Sequence, residues 1–297
     1  MTIEVSSDVT QAVLAVMERT PDPRLREIMV SLVRHLHAFV AEVSLTEDEF
    51  RAGAALINEM GQRSNDLHNE TVLMAGSLGI SALVCMLNNS QESKQRTSQS
   101  LLGPFWRLHS PRLENGASIV RSPVGGPTMF VRGRILESEG GPVSNAEVDI
   151  WQCSPEGLYE NQDPNQVRMN LRGKLTTDSE GRFWFRSVKP IGYPIPTDGV
   201  VGRLLTAQAR HPFRPAHVHV LAVKPGYRTL ISQLYLPDDP KLESDAQFGV
   251  RRDLIGELQR HDEPHPDDPS IETPWFSLEH SFRMERGTTK LPAPPIK

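Results

Sequence analysis

The chain changes its hydrophobic rhythm near residue 100. Between Leu25 and Val43 the apolar residues fall at Leu25, Ile28, Met29, Leu32, Val33, Leu36, Phe39, Val40 and Val43. Steps of three and four place them along one side of an amphipathic helix. Thr46 and Glu49 stand in the Thr-x-x-Glu spacing, where each side chain serves the other's backbone N–H at a helix start. A second stripe follows, Phe50, Leu56, Ile57 and Met60, and Gly61 is placed to end it. Asn65 is placed to cap a third segment carrying Leu67, Val72, Leu73, Leu78, Ile80, Leu83, Val84 and Leu87, and a polar linker begins at Asn89.

Beyond the linker the period drops to two. Val131, Gly133 and Ile135 oppose Arg132 and Arg134; Ala146, Val148 and Ile150 oppose Glu147 and Asp149; Phe183 and Phe185 oppose Trp184 and Arg186. Turns at Gly140-Gly141-Pro142 and Asp178–Gly181 separate them, and Ala216–Val223 and Thr229–Leu236 read as two further strands. No helical spacing is read between the strands, which points to an antiparallel sandwich rather than a βα barrel. Proline agrees: 22 of the 24 lie after residue 100. The expected fold class is therefore α+β, with a helical domain over 1–100 and a β-sandwich domain over 101–297. Residues 261–274 read as an acidic surface loop in which His261 and His265 are solvated, and the proline-rich tail from Gly287 reads as mobile. Trp151 and Trp184 read as sheet-packing residues and Cys153 as structural.

Charge and composition narrow the chemistry. A net charge of −5 without a Lys/Arg cluster argues against nucleic acid and anionic membranes as partners. No apolar run approaches the ~20 residues a bilayer span needs. The N-terminus carries no basic stretch followed by an apolar one, so no signal peptide is read. Cys85 and Cys153 stand far apart and outside any C-x-x-C pair, which excludes an intrachain disulfide framework and fits a cytoplasmic setting.

The sharpest local feature is Arg214-Pro215-Ala216-His217-Val218-His219-Val220. Residues two apart on a strand share a face, so His217 and His219 present two imidazoles side by side. Spacing alone leaves their partners open: Asp149 or Asp178 could complete a carboxylate site for ferrous iron, and His211 a three-histidine zinc site. His35 and His37, two apart on a helix, diverge. Tyr159 follows a strand, and Tyr193 lies in the rigid Gly192-Tyr193-Pro194-Ile195-Pro196 loop.

Tyr159, Gly192-Tyr193-Pro194 and Arg214-Pro215-Ala216-His217-Val218-His219 occur in the order and approximate spacing of the intradiol ring-cleaving dioxygenases, which the chain resembles. Leu102-Gly103-Pro104-Phe105-Trp106, Asn170-Leu171-Arg172-Gly173 and Thr177–Phe183 carry the likeness further, over nearly the whole chain to about Leu254. Tyr193–Gly199 is similar to the hydroxyquinol-cleaving branch, with the catechol-cleaving branch as the rival. A non-catalytic transthyretin-like β-sandwich binding module is the rival of another class. The resemblance implies a mononuclear Fe(III) site held by Tyr159, Tyr193, His217 and His219. It implies that Tyr193 also takes a substrate proton, that Arg214 stabilises developing charge, and that Gln233 helps position a small aromatic diol or triol for attack by O2. Leu73, Gly76, Pro104, Phe105, Ile195 and Pro196 would border that ring. Two positions depart from the family: Gly76 stands where an Asp is expected, and Val200 where the hydroxyquinol branch commonly has Pro. The helical half resembles a dimerisation domain, so a homodimer with a phospholipid in its interface tunnel is implied.

Overall fold

The computed structural model describes residues 5–66, 68–89 and 96–295. Leu67, and half of the polar linker expected over 89–100 (residues 90–95), lie outside the described residues. The chain forms two compact units, residues 1–59 and 60–297.

In the first unit, α1 (Ser6–Met17) packs on α2 (Pro23–Glu42), and α3 (Glu47–Arg63) begins after a short turn. Asp22 caps α2 through the backbone N–H groups of Arg24 and Leu25, with Pro23 at the first helical position. The box at the start of α3 forms as expected: Thr46 N–H donates to Glu49 Oε2 at 2.9 Å, and Glu49 N–H to Thr46 Oγ1 at 3.3 Å. His35 and His37 diverge, and His37 Nδ1 lies 2.8 Å from Thr10 Oγ1. The apolar stripe of α2 is not covered: Leu25, Ile28, Leu32, Leu36, Phe39, Val40 and Val43 are each about half exposed, and only Val33 is buried. α3 does not stop at Gly61 but runs to Arg63.

In the second unit the third helical segment is two helices, α4 (Glu70–Ser77) and α5 (Ile80–Asn89). Asn69, not Asn65, caps α4 by accepting from Val72 N–H at 2.9 Å. Gly79 adopts φ +74, which an L side chain strains to reach, and there the axis bends by 74°. Among the described residues no single helix is long and apolar enough to cross a membrane.

The β elements follow: β1 (Thr128–Glu137), β2 (Glu147–Trp151), β3 (Arg172–Thr176), β4 (Arg182–Val188) and β5 (Tyr193–Pro194), then α6 (Val200–Ala207), then β6 (Phe213–Arg214), β7 (His217–Val223), β8 (Leu230–Tyr235), β9 (Glu257–His261) and β10 (Trp275–Met284). Two four-stranded sheets, ordered β4-β1-β10-β9 and β3-β2-β7-β8, face each other. Their shared core includes Val131, Ile135, Phe183, Phe185, Leu278 and Phe282 from the first and Val148, Ile150, Val218, Val220 and Leu234 from the second. The sandwich is thus as expected, with two departures. β1 pairs with β10 in parallel, because the last strand returns alongside the first. A short helix, α6, interrupts the strands where no helical spacing was read.

Three smaller expectations are corrected. Trp184 is partly exposed on an outer strand face rather than packed in the sheet. His261 and His265 are stacked on aromatic rings rather than solvated: His261 lies 3.8 Å from Trp275 and His265 4.7 Å from Phe130. The tail beyond Gly287 is tied at its start, since Thr289 Oγ1 donates to Lys224 O and Tyr227 O. Cys153 is buried, as a structural thiol should be, and burial pushes its pKa up to about 12.

Candidate metal centre

β7 alternates so that Val218, Val220 and Ala222 enter the sandwich core while His217, His219 and Leu221 point to the sheet's other side. That side is roofed by Phe105 and Trp106, so with both faces covered six of the seven residues of β7 are buried. Neighbouring strands set what faces each imidazole. Trp151 on β2 and Gln233 on β8 lie opposite His219, and Tyr235 on β8 lies opposite His217. The Trp151 and His219 rings stack at 4.6 Å and 7°. Gly103 permits this fit: at φ +74, a Cβ there would stand 3.1 Å from His219 Cε1.

The two tyrosines arrive from loops on either side of β3 and β4. Tyr159 lies under Phe105, ring centroids 4.5 Å apart, and Tyr193 on β5 pairs with Arg214 on β6. Four donor atoms converge. Tyr159 Oη lies 3.1 Å from Tyr193 Oη and 3.1 Å from His219 Nε2, and His219 Nε2 lies 3.2 Å from His217 Nε2. Donors about 2.1 Å from one metal ion at right angles stand about 3.0 Å apart, so the spacing suits a common ion. His217 Nδ1 lies 2.7 Å from Pro215 O, which fixes the tautomer that leaves the Nε2 lone pair facing the other donors.

The protonation states suit the same purpose. Burial, with the nearby Arg214 charge, pushes His217 down to about 3, and burial beside His217 drives His219 well below its usual value. Both imidazoles are therefore neutral, the form that ligates. Burial pushes Tyr193 up to about 12 and Tyr159 well above the usual phenol range. Without a cation the phenols keep their protons; a multivalent cation would displace them and hold the phenolates. Two anionic oxygen donors and two imidazoles fit a hard trivalent ion such as Fe(III).

The other ligand sets left open by spacing do not form. Asp149 is engaged with Trp106 Nε1 and Lys174, Asp178 with Arg182, and His211 accepts from Phe213 N–H. Among the described residues no three His, Cys, Asp or Glu side chains gather as a metal site.

Arg214 is buried beside the quartet, with Nη1 3.5 Å from His217 Nε2. Asp245 accepts from its Nε and Nη2, each at 3.1 Å, and Gln233 Oε1 and Tyr235 Oη accept from Nη2 at 2.8 and 3.0 Å. Burial opposes the guanidinium charge, but Asp245, Tyr235 and Tyr193 outweigh it and hold its pKa well above the usual value. Gln233 donates to Leu101 O at 2.7 Å, accepts from Arg214 and lies 3.4 Å from His219 Nδ1. Its contacts are with the residues around the quartet. Leu73, Phe105 and Ile195 are buried, Pro104 and Pro196 partly so, and Gly76 lies against Gln247.

Sequence reasoning missed several residues around this site. Asp245 and Gln247 lie past β8 in a stretch with no periodicity, and no local motif marks them. Arg172, buried within a quoted motif, donates to Glu160 Oε2 and Phe105 O at 2.7 Å each and so anchors the neighbours of Tyr159.

Comparison with known proteins decides the family. Residues 103–284 match the family model described as "Dioxygenase", and residues 22–96 the one described as "Catechol dioxygenase N terminus". The chain belongs to the intradiol ring-cleavage dioxygenases. These are enzymes of aromatic catabolism that use non-heme ferric iron. Among the relatives of this dioxygenase, the hydroxyquinol 1,2-dioxygenase of Rhizobium sp. (strain MTP-10005) is 40% identical over 93% of the chain and 94% of its own length. The catechol 1,2-dioxygenase of Candida albicans is 38% identical over 89% of the chain and 88% of its own. The solved hydroxyquinol 1,2-dioxygenase of Pseudomonas putida DLL-E4 superposes with a TM-score of 0.87 at 37% identity, covering 95% of this chain and 99% of that one.

Proposed function

We propose that this dioxygenase cleaves hydroxyquinol (1,2,4-trihydroxybenzene) between its two adjacent hydroxyl groups, giving 3-hydroxy-cis,cis-muconate and its keto form maleylacetate. The observation that carries the ring-cleavage chemistry is the convergence of Tyr159, Tyr193, His217 and His219 within 3.1–3.2 Å of one another along the chain of contacts. The choice of the triol is supported by the likeness to the Rhizobium and Pseudomonas enzymes and by the Tyr193–Gly199 segment.

In this reading the four side chains would hold Fe(III), which would supply a Lewis acid for the two adjacent oxygens of a vicinal diol. Tyr193 Oη would be the base that takes up one substrate proton. Arg214 stays charged at every working pH and lies against His217, where it stabilises negative charge developing on the ring. Gln233 Oε1 holds Arg214 in place by accepting from its Nη2, while its Nε2 is tied to Leu101 O. Phe105, Ile195 and Leu73 supply apolar walls for a flat ring. Both atoms of O2 enter the product, so no electron donor is needed.

The exposed stripe of α2 supports a homodimer, because an apolar face of this length is normally covered. A phospholipid in the interface is part of the same reading.

An oxygen electrode tests the substrate. Uptake should be one O2 per hydroxyquinol and slower with catechol. Uptake with catechol as fast or faster would replace hydroxyquinol by catechol as the substrate.

A further inference from the structure

Gly76 shares the buried side of α4 with Leu73 and Ser77. A Cβ at this position would overlap the side-chain amide of Gln247, falling 2.6 Å from Cδ and 3.2 Å from Nε2. The room left by the missing side chain is therefore filled by Gln247 from another segment. Gln247 is itself buried. Its Nε2 donates to Ser77 Oγ at 2.9 Å and reaches Leu73 O at 3.5 Å. With the amide nitrogen so engaged, Oε1 accepts no hydrogen bond among the described residues. Oε1 is therefore an acceptor without a protein donor among the described residues, open to one supplied by a bound molecule.

The backbone that carries Gln247 is fixed to the metal-facing arginine. Asp245, which clamps Arg214, also accepts from the N–H groups of Gln247 at 3.1 Å and Gly249 at 2.8 Å. Arg214 in turn lies 3.5 Å from His217. Three contacts, Gln247 N–H to Asp245, Asp245 to Arg214 and Arg214 to His217, thus link the Gln247 backbone to the donor quartet, while its side chain lies against Leu73 and Gly76 of α4.

We infer that Gln247 is a specificity-determining residue, whose Oε1 accepts a hydrogen bond from the ring hydroxyl that a triol carries and a diol lacks. The inference rests on the ring cleavage proposed above and names what selects the substrate there. The two vicinal oxygens are used in chelation, but the third hydroxyl keeps its proton and can donate it. Catechol offers a C–H at that place and a chlorinated ring offers chlorine; neither donates to an amide oxygen. A site with a polar group matched to one substrate discriminates against the analogue that leaves it unpaired.

Gln247→Leu removes the acceptor at similar volume. Gly76→Ala leaves Gln247 in the chain but forces its amide aside. For each iron-loaded variant, two quantities are measured: the ratio of kcat/KM for hydroxyquinol over catechol, and the anaerobic dissociation constant of each ring from the change in visible absorption. Each single substitution should lower the ratio about tenfold, the value of roughly one hydrogen bond, with the loss in KM and in the dissociation constant rather than in kcat. The double variant should fall no further than Gln247→Leu, because both changes remove one contact. An unchanged ratio, or losses that add, overturns the inference. Gln247→Met is read in the same way if the leucine variant does not fold. If the wild type cleaves both rings and the ratio does not move, only the inference falls. If the wild type cleaves neither, the proposed function falls and takes the inference with it.

Discussion

His217→Ala should yield protein nearly free of iron and without ring cleavage. Its Nε2 is one of four donors held within 3.1–3.2 Å steps, and its orientation is fixed by Pro215 O. A structural metal site in a small protein is worth about 10–16 kcal/mol, so one donor in four represents roughly 3 kcal/mol, or about 150-fold in affinity. Tyr159→Phe is the stricter variant, since it keeps the ring packed against Phe105 and removes only Oη. Elemental analysis gives iron per chain and the oxygen electrode gives turnover. Full iron with full turnover in either variant would remove that residue from the ligand set.

Arg214→Met should destabilise the protein by about 3–5 kcal/mol, the usual cost of removing one member of a buried ion pair. Asp245 would remain buried with only its N–H donors from Gln247 and Gly249. In the wild type, burial raises the Asp245 carboxyl, but Arg214 outweighs this and holds it below its usual value. That pair therefore contributes stability above about pH 4, the unfolded carboxyl range, and loses it as pH falls through the lower folded value. In the variant only the N–H groups of Gln247 and Gly249 still oppose burial, and the folded pKa rises. Asp245 then costs stability as pH climbs above about 4. Melting temperature should fall between pH 5 and pH 8 in Arg214→Met and not in the wild type. Parallel profiles would show that Asp245 does not depend on Arg214.

Much of this was legible in local sequence. The i, i+2 placement of His217 and His219 on β7 follows from strand period alone, and the helical start at Thr46 from the residue three places on. What local sequence cannot give is which strand lies opposite. Trp151 stacks on His219 because β2 pairs with β7, and the parallel return of β10 to β1 depends on a strand beyond the acidic loop. Carboxylate candidates such as Asp149 fell away only when their partners were seen. The Tyr159 and Tyr193 assignments came from resemblance, because a loop tyrosine carries no periodic signal. Gly76 is legible as a departure, but Gln247, which fills the space beside it, lies far along the chain and is unmarked by any motif.

The central claim is that two phenolates and two imidazoles hold one ferric ion. Its most direct test is the visible spectrum of protein with one iron per chain. Phenolate bound to Fe(III) gives an intense charge-transfer band, so the solution should be burgundy and should bleach on reduction. A fully loaded, colourless protein would contradict it.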